Sequence, residues 1–172
     1  MAARTDTFDL APLRLRAGEG RHLGLEVPLE PFALGGDDYA VSPSPVPVRL
    51  DVAKMNHGGW SLRLRFRAEL HGPCMRCLEP AAPAFEVDAR EVDQAGGGAE
   101  LDSPYVDGDV VDAHAWARDA LALALPSQIL CTPECRGLCP ECGADLNTAE
   151  PGHAHEKAPD PRWAALREIT FD

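Results

Sequence analysis

Eight side chains able to hold a metal ion fall into four short pairs, and no other feature of this 172-residue chain restricts its fold as much. The pairs are Cys74-x-x-Cys77, Cys131-x-x-x-Cys135, Cys139-Pro-Glu-Cys142-Gly143 and His153-x-His155. Two donors on one tight turn reach the same ion, and a second pair closes a loop onto it. Eight ligands therefore make two tetrahedral sites, a donor set suited to Zn2+. The Cys-Pro-Glu-Cys-Gly form has the look of a zinc knuckle, because Gly143 tolerates the backbone conformation that turns amides toward the thiolates. Other readings stand beside this one. A lone Cys-x-x-Cys also suits a redox dithiol, although that chemistry wants a strand-to-helix turn that lowers one thiol pKa. Cys131 or Cys135 also suits a buried apolar position. His153 and His155 lie in a Pro/Gly-rich acidic loop, where solvation alone accounts for them.

The compartment matters to this argument. Residues 1–9, MAARTDTFD, carry no apolar run of the signal-peptide kind, and no stretch of about 18 apolar residues occurs, so a cytoplasmic protein and no membrane contact are expected. In a reducing cytosol cysteines are thiolate ligands more readily than disulfides. The formal charge of −12 argues against coating nucleic acid by bulk electrostatics and matches a basic partner better. A hydrophobic fraction of 45% is enough for a real core.

The first half reads as strands. Val46, Val48, Leu50 and Val52 alternate with polar or proline residues, and Pro47 suggests an edge position or an early ladder site. After the turn at Asn56-His57-Gly58-Gly59, residues Leu62, Leu64, Phe66, Ala68 and Leu70 point one way and Arg63, Arg65, Arg67 and Glu69 the other. Phe85, Val87 and Ala89 form the inner row of a matching strand. The two should pair as an antiparallel hairpin with Cys74 and Cys77 at its tip, the arginines facing Glu86 and Asp88. Trp60, after the Gly-Gly turn, is expected to be partly exposed. The first 40 residues predict one or two further strands.

Nine carboxylates and one arginine lie between Glu86 and Asp112, with a flexible linker read at residues 94–99 (QAGGGA). Residues 112–125 (DAHAWARDALALAL) predict the main helix, stopped by Pro126, with Ala113, Trp116, Ala120, Leu121 and Ala124 buried. A short closing helix is expected over 161–169, with Asp160 as N-cap, Pro161 at its first position and Trp163 on its apolar side. The fold class expected is α+β: an antiparallel β core, one main helix and a zinc-stapled Cys-rich C-terminal segment.

Four separated motifs occur in order: Cys74-x-Arg76-Cys77-Leu78; Leu123-Ala124-Leu125-Pro126; the run from Cys131 to Asn147; and Asp160-Pro161-Arg162-Trp163-x-x-Leu166. Together they resemble the YceD family, the large ribosomal RNA subunit accumulation proteins. The resemblance covers about Leu10 to Leu166. It implies one YceD-like domain over 1–172, with a β-rich part at 10–93, helix plus zinc segment at 109–147 and a tail at 148–172. It also implies a ribosome-biogenesis factor supporting large-subunit (23S) rRNA accumulation, with large-subunit rRNA or a basic large-subunit ribosomal protein as partner. No enzymatic activity and no small-molecule substrate come with it. Many relatives carry Cys-x-Cys where this chain has His153-x-His155, and some lack the Cys139–Cys142 knuckle. The resemblance thus implies Cys74, Cys77, Cys131 and Cys135 at one zinc and Cys139, Cys142, His153 and His155 at a second. A ribbon pairing Cys74 and Cys77 with Cys139 and Cys142 is the rival.

Arg63, Arg65, Arg67 and Arg76 are the candidate partner contacts, with Arg76 foremost because it lies inside the knuckle motif. Cross-strand pairing with Glu86 and Asp88 is the competing role for the first three. No nucleophile elbow, phosphate-binding glycine loop or His-Glu-x-x-His is present, and fully ligated zinc leaves no place for a catalytic water. A zinc-ribbon RNA-binding protein and a thiol-disulfide redox protein are the alternatives.

Overall fold

A computed structural model describes residues 3–4, 6–94, 96–98 and 101–155. It divides into two compact units, Met1–Cys135 and Arg136–Asp172. In chain order the strands are β1 (Ala3–Arg4), β2 (Thr7–Asp9), β3 (Gly20–Val27), β4 (Phe32–Leu34), β5 (Asp37–Ser42) and β6 (Val46–Lys54). They continue with β7 (Trp60–Pro73), β8 (Pro80–Ala81), β9 (Ala84–Asp93), β10 (Val106–Asp107) and β11 (Val110–Asp112), and one helix, α1 (Ala113–Ala124), follows. Among the described residues the fold is mostly antiparallel β-sheet with one α-helix, in keeping with an α+β class; β1 and β3 pair in parallel.

The long strand β7 organises the first unit. Along one edge it pairs with β6 over its first half and with β5 near its end; along the other edge it pairs with β9 and then β8. Its alternation is unbroken: Trp60, Leu62, Leu64, Phe66, Ala68 and Leu70 are buried. Val46, Val48, Leu50 and Val52 of β6 and Leu25 and Val27 of β3 share their burial. The helix α1 packs against β9, β2 and β3. Its N-cap is Asp112, whose side chain accepts from the Ala115 N–H at 2.8 Å. The buried stripe is Ala113, Trp116, Ala117, Ala120 and Leu121. Ala124, expected inside, is exposed, as are Ala122 and Leu123 of the same last turn.

Other expectations are corrected. Five strands start within the first 40 residues, since Gly/Pro-rich connections separate short strands that periodicity over a longer window misses. Strand β6 is internal, and of the two places read for Pro47 it takes the early ladder position, second in the strand and ahead of the β6–β7 ladder that starts at Arg49. Trp60 is buried: its Nε1–H donates to Asp109 at 3.0 Å and the Lys54 ammonium sits 3.8 Å above its ring. Phe85 and Ala89 are half-buried rather than inside, on a strand that among the described residues pairs with β7 alone. Of the linker expected over 94–99, the described residues make backbone hydrogen bonds, Gln94 N–H to Leu101 O and Gly97 N–H to Gln94 O, while residues 95 and 99 lie outside the described residues. The closing helix over 161–169, with Asp160 and Trp163, lies outside the described residues.

On the solvent face of the sheet the arginines split between two strands. Arg63 donates two hydrogen bonds to Asp88, and Arg67 lies 3.9 Å from Glu86. Arg65, expected to face β9, turns the other way to Asp51 of β6, which also receives Arg49 Nε and His22 Nδ1. Burial alone would raise the Asp51 carboxyl, but these donors override it and hold its pKa at about 2, below the ordinary 3.8. The charged carboxylate therefore stabilises the fold above pH 4, and the contribution fades as the pH falls toward 2.

Continuing the same alternation past Leu70 places Gly72 and then Cys74 on the inner side. The β5–β7 register, extended one pair, sets Tyr39 opposite Gly72. Tyr39 is fully buried and donates its hydroxyl to Pro73 O at 2.7 Å. A Cβ at Gly72 would run into the Tyr39 ring. Glycine is required here because the aromatic ring occupies the space a side chain would take.

Two outcomes are expected from denaturant unfolding. Gly72→Ala should cost about 1–3 kcal/mol by overpacking, and an unchanged midpoint would remove Tyr39 from the explanation. Asp51→Asn should cost about 1 kcal/mol at pH 7, where solvent already screens the pairs, with the gap to the parent closing between about pH 4 and 2.

Candidate metal centres

The turn after β7 brings its two cysteines together. Cys74 N–H donates to Glu79 O at 2.7 Å, and Leu78 N–H donates to Cys74 O at 2.9 Å. The chain leaving α1 is then laid against this turn. Met75 N–H donates to Ile129 O at 2.9 Å and Ile129 N–H to Met75 Sδ at 3.3 Å. Arg76 straps the same two segments, with Nε donating to Gln128 Oε1 at 2.9 Å and Nη1 to Cys135 O at 3.0 Å.

The result is a cluster of four sulfurs. Cys74 and Cys135 lie 3.7 Å apart and Cys77 and Cys131 3.5 Å, and all four are within 4.8 Å of one another. A tetrahedral ion with metal–sulfur bonds of about 2.3 Å requires sulfur–sulfur edges of about 3.8 Å. A disulfide requires about 2.05 Å. The spacing fits a shared ion, not a bond.

The electrostatics agree. Burial alone would raise the Cys74 thiol, but the backbone N–H groups of Cys77, Arg76 and Cys131 converge on its sulfur and hold its pKa at about 6. The Glu79 N–H favours the Cys77 thiolate, yet burial and the sulfurs of Cys131, Cys74 and Cys135 push it up to about 12. The Cys77 sulfur likewise favours the Cys131 thiolate, but burial and the sulfurs of Cys135 and Cys74 raise that thiol. Amides accommodate one negative charge here; four thiolates would need a cation at the centre.

The second unit repeats the turn. Cys139 N–H donates to Ala144 O and Gly143 N–H to Cys139 O, both at 2.8 Å, the same pattern as Cys74 with Glu79 and Leu78. Gly143 has φ +72° and Leu78, in the matching place, φ +65°. Asp145 pairs with Leu138 in a single β-bridge, and Asn147 Oδ1 accepts the Arg136 N–H at 2.8 Å. Cys139, Cys142, His153 and His155 bring their ligand atoms within 4.8 Å of one another. Cys142 Sγ lies 3.5 Å from His153 Nε2, which is 3.1 Å from His155 Nε2. The N–H groups of Cys142 and Glu141, together with His153, lower the Cys139 thiol to about 6.

The structure thus gathers the eight residues into two groups of four, and the ribbon combining Cys74 and Cys77 with Cys139 and Cys142 is not what it forms. Of the arginines, Arg76 joins the segments that carry the first cluster, while Arg63, Arg65 and Arg67 meet carboxylates on the open sheet face. Sequence reading did not anticipate the Met75–Ile129 clasp, the Tyr39–Gly72 pair or the Asn147 bond. The legible signal in this region is local, the Asp145-x-Asn147 sequence of the Asx-turn kind, in which Asp145 Oδ1 accepts the Asn147 N–H at 2.9 Å.

Leucine in the left-handed region is strained, and 66% exposure shows that little packing offsets it. Leu78→Gly should stabilise metal-loaded protein by about 1 kcal/mol, read by denaturant unfolding, and a loss of stability would contradict the strain.

A family model described as large ribosomal RNA subunit accumulation protein YceD matches residues 62–170, a span that holds both clusters. An uncharacterized protein of Mycobacterium tuberculosis is 38% identical over 104 residues, covering 57% of this chain and 49% of its own. A protein of Mycobacterium bovis shares those figures, and one of Mycobacterium leprae is 42% identical over 64 residues, covering 37% and 28%. The chain spans about half the length of the first mycobacterial relatives it matches. No solved structure matches it. Among the described residues no helix is long and apolar enough to cross a membrane.

Proposed function

Because the chain belongs to the YceD family of large ribosomal RNA subunit accumulation proteins, we propose that it is a non-enzymatic, cytoplasmic factor supporting accumulation of 23S rRNA, stapled by two structural Zn2+ ions. The family match over residues 62–170 carries the reading, since that span includes every proposed ligand. In it Cys74, Cys77, Cys131 and Cys135 hold one ion and Cys139, Cys142, His153 and His155 the other. Zinc bound by four protein ligands serves as a cross-link, with no open position for a reacting water.

The magnitudes favour such a staple. Bringing Cys77 to Cys131 closes 54 residues of chain, which costs about 4 kcal/mol by the loop-length rule. Zinc binding at sites of this kind supplies about 10–16 kcal/mol, enough to exceed that cost.

The partner proposed is a basic large-subunit ribosomal protein or large-subunit rRNA. The net charge of −12 supports the basic protein. Arg63, Arg65 and Arg67 are engaged with Asp88, Asp51 and Glu86, so RNA contact through them would compete with those pairs.

Deleting the gene should lower the ratio of large- to small-subunit rRNA. The parent chain should restore it, and Cys74→Ser with Cys135→Ser should not. Native mass spectrometry should find two zinc ions on the parent chain. An unchanged rRNA ratio on deletion would sink the biogenesis reading, and a metal-free native chain would sink the zinc reading.

A further inference from the structure

The two clusters sit in unlike surroundings. At the first, Cys74 is 0% exposed, Cys77 4% and Cys135 1%, and Cys131 is half-buried, within a unit that has a sheet, a helix and an apolar core. At the second, Cys139 is buried but Cys142, His153 and His155 are exposed. Solvent reaches three of its four ligands.

Among the described residues, the chain around the second cluster has little else to hold it. Within residues 136–155 only Gly137 and Cys139 are buried. Leu138, Ala144, Leu146 and Ala149 are half-buried, and the backbone forms turns and one bridge, with no helix or ladder. Burying a leucine fully contributes about 1.5–3 kcal/mol, and this segment buries none. Turns of this length cannot offset the entropy of ordering about 20 residues, at about 1–2 kcal/mol each. Among the described residues, the ligand set is the main remaining source of order.

We propose that Cys139, Cys142, His153 and His155 form an exchangeable Zn2+ site whose occupancy governs the folding of residues 136–155, while the Cys74, Cys77, Cys131 and Cys135 site keeps its ion. The proposal rests on the zinc reading above and adds a division of labour to it. An exposed ion is lost by stepwise replacement of its ligands by water or a chelator, and a buried ion is shielded from both. Free zinc then selects between two forms of the chain. With two ions, residues 136–155 are ordered; with one, the unit Met1–Cys135 stays folded and those residues do not.

The test uses the full chain loaded with two equivalents of zinc and an excess of the colorimetric chelator 4-(2-pyridylazo)resorcinol, with hydrogen exchange followed in parallel. One equivalent should leave roughly tenfold or more faster than the other. During the fast phase, amide protection should vanish over 136–155 and persist over 60–93. The double variant Cys142→Ser, His155→Ala should carry one slow equivalent and lack protection over 136–155 from the start. Two equivalents leaving in one phase would overturn the division of labour while leaving the zinc reading intact. Protection over 136–155 that survives loss of the fast ion would overturn the folding role. A chain that takes up no zinc would overturn both readings together.

Discussion

Four cysteine sulfurs from segments more than 50 residues apart meet within 4.8 Å, and the arrangement around them follows from that meeting. Four thiolates at such a distance repel, and four thiols would leave the converging amides without the anion they favour. A divalent cation would resolve both conflicts. The turn that offers Cys74 and Cys77 and the segment that offers Cys131 and Cys135 are each too short to hold a shape alone. Each leans on the other through Met75, Arg76, Gln128 and Ile129.

The sheet is the rigid part of this arrangement. The alternation of β7 carries Gly72 under Tyr39 and delivers Cys74 to the buried side with its direction already set. On the opposite face the arginines, with His22, and the carboxylates of Asp51, Asp88 and Glu86 form a lattice that spans β3, β6, β7 and β9. This lattice neutralises charge on a face without an apolar cover. It also explains why an acidic chain can carry so many arginines on one strand without presenting a simple cationic surface.

The two knuckles show one turn in two settings. Their backbone hydrogen bonds correspond, and both enter the left-handed region at the residue after the second cysteine. Glycine there relieves strain, and leucine does not. The difference in burial gives the same local chemistry two different degrees of protection from solvent.

The sequence by itself determined the features that depend on near neighbours: the inward rows of β6 and β7, the helix after Asp112, the knuckle turns and the ligand types. Period, capping and spacing are local properties, and each is written in a few adjacent residues. Only the tertiary structure decided that Arg65 turns to Asp51 rather than β9, that Trp60 is buried against Asp109 and Lys54, and that Gly72 lies under Tyr39. It also decided which cysteine pairs share a centre, a choice that spacing left open and family resemblance alone suggested. Those outcomes depend on which strands become neighbours across long stretches of chain, and pairwise packing at that range has no signature in a single strand's pattern.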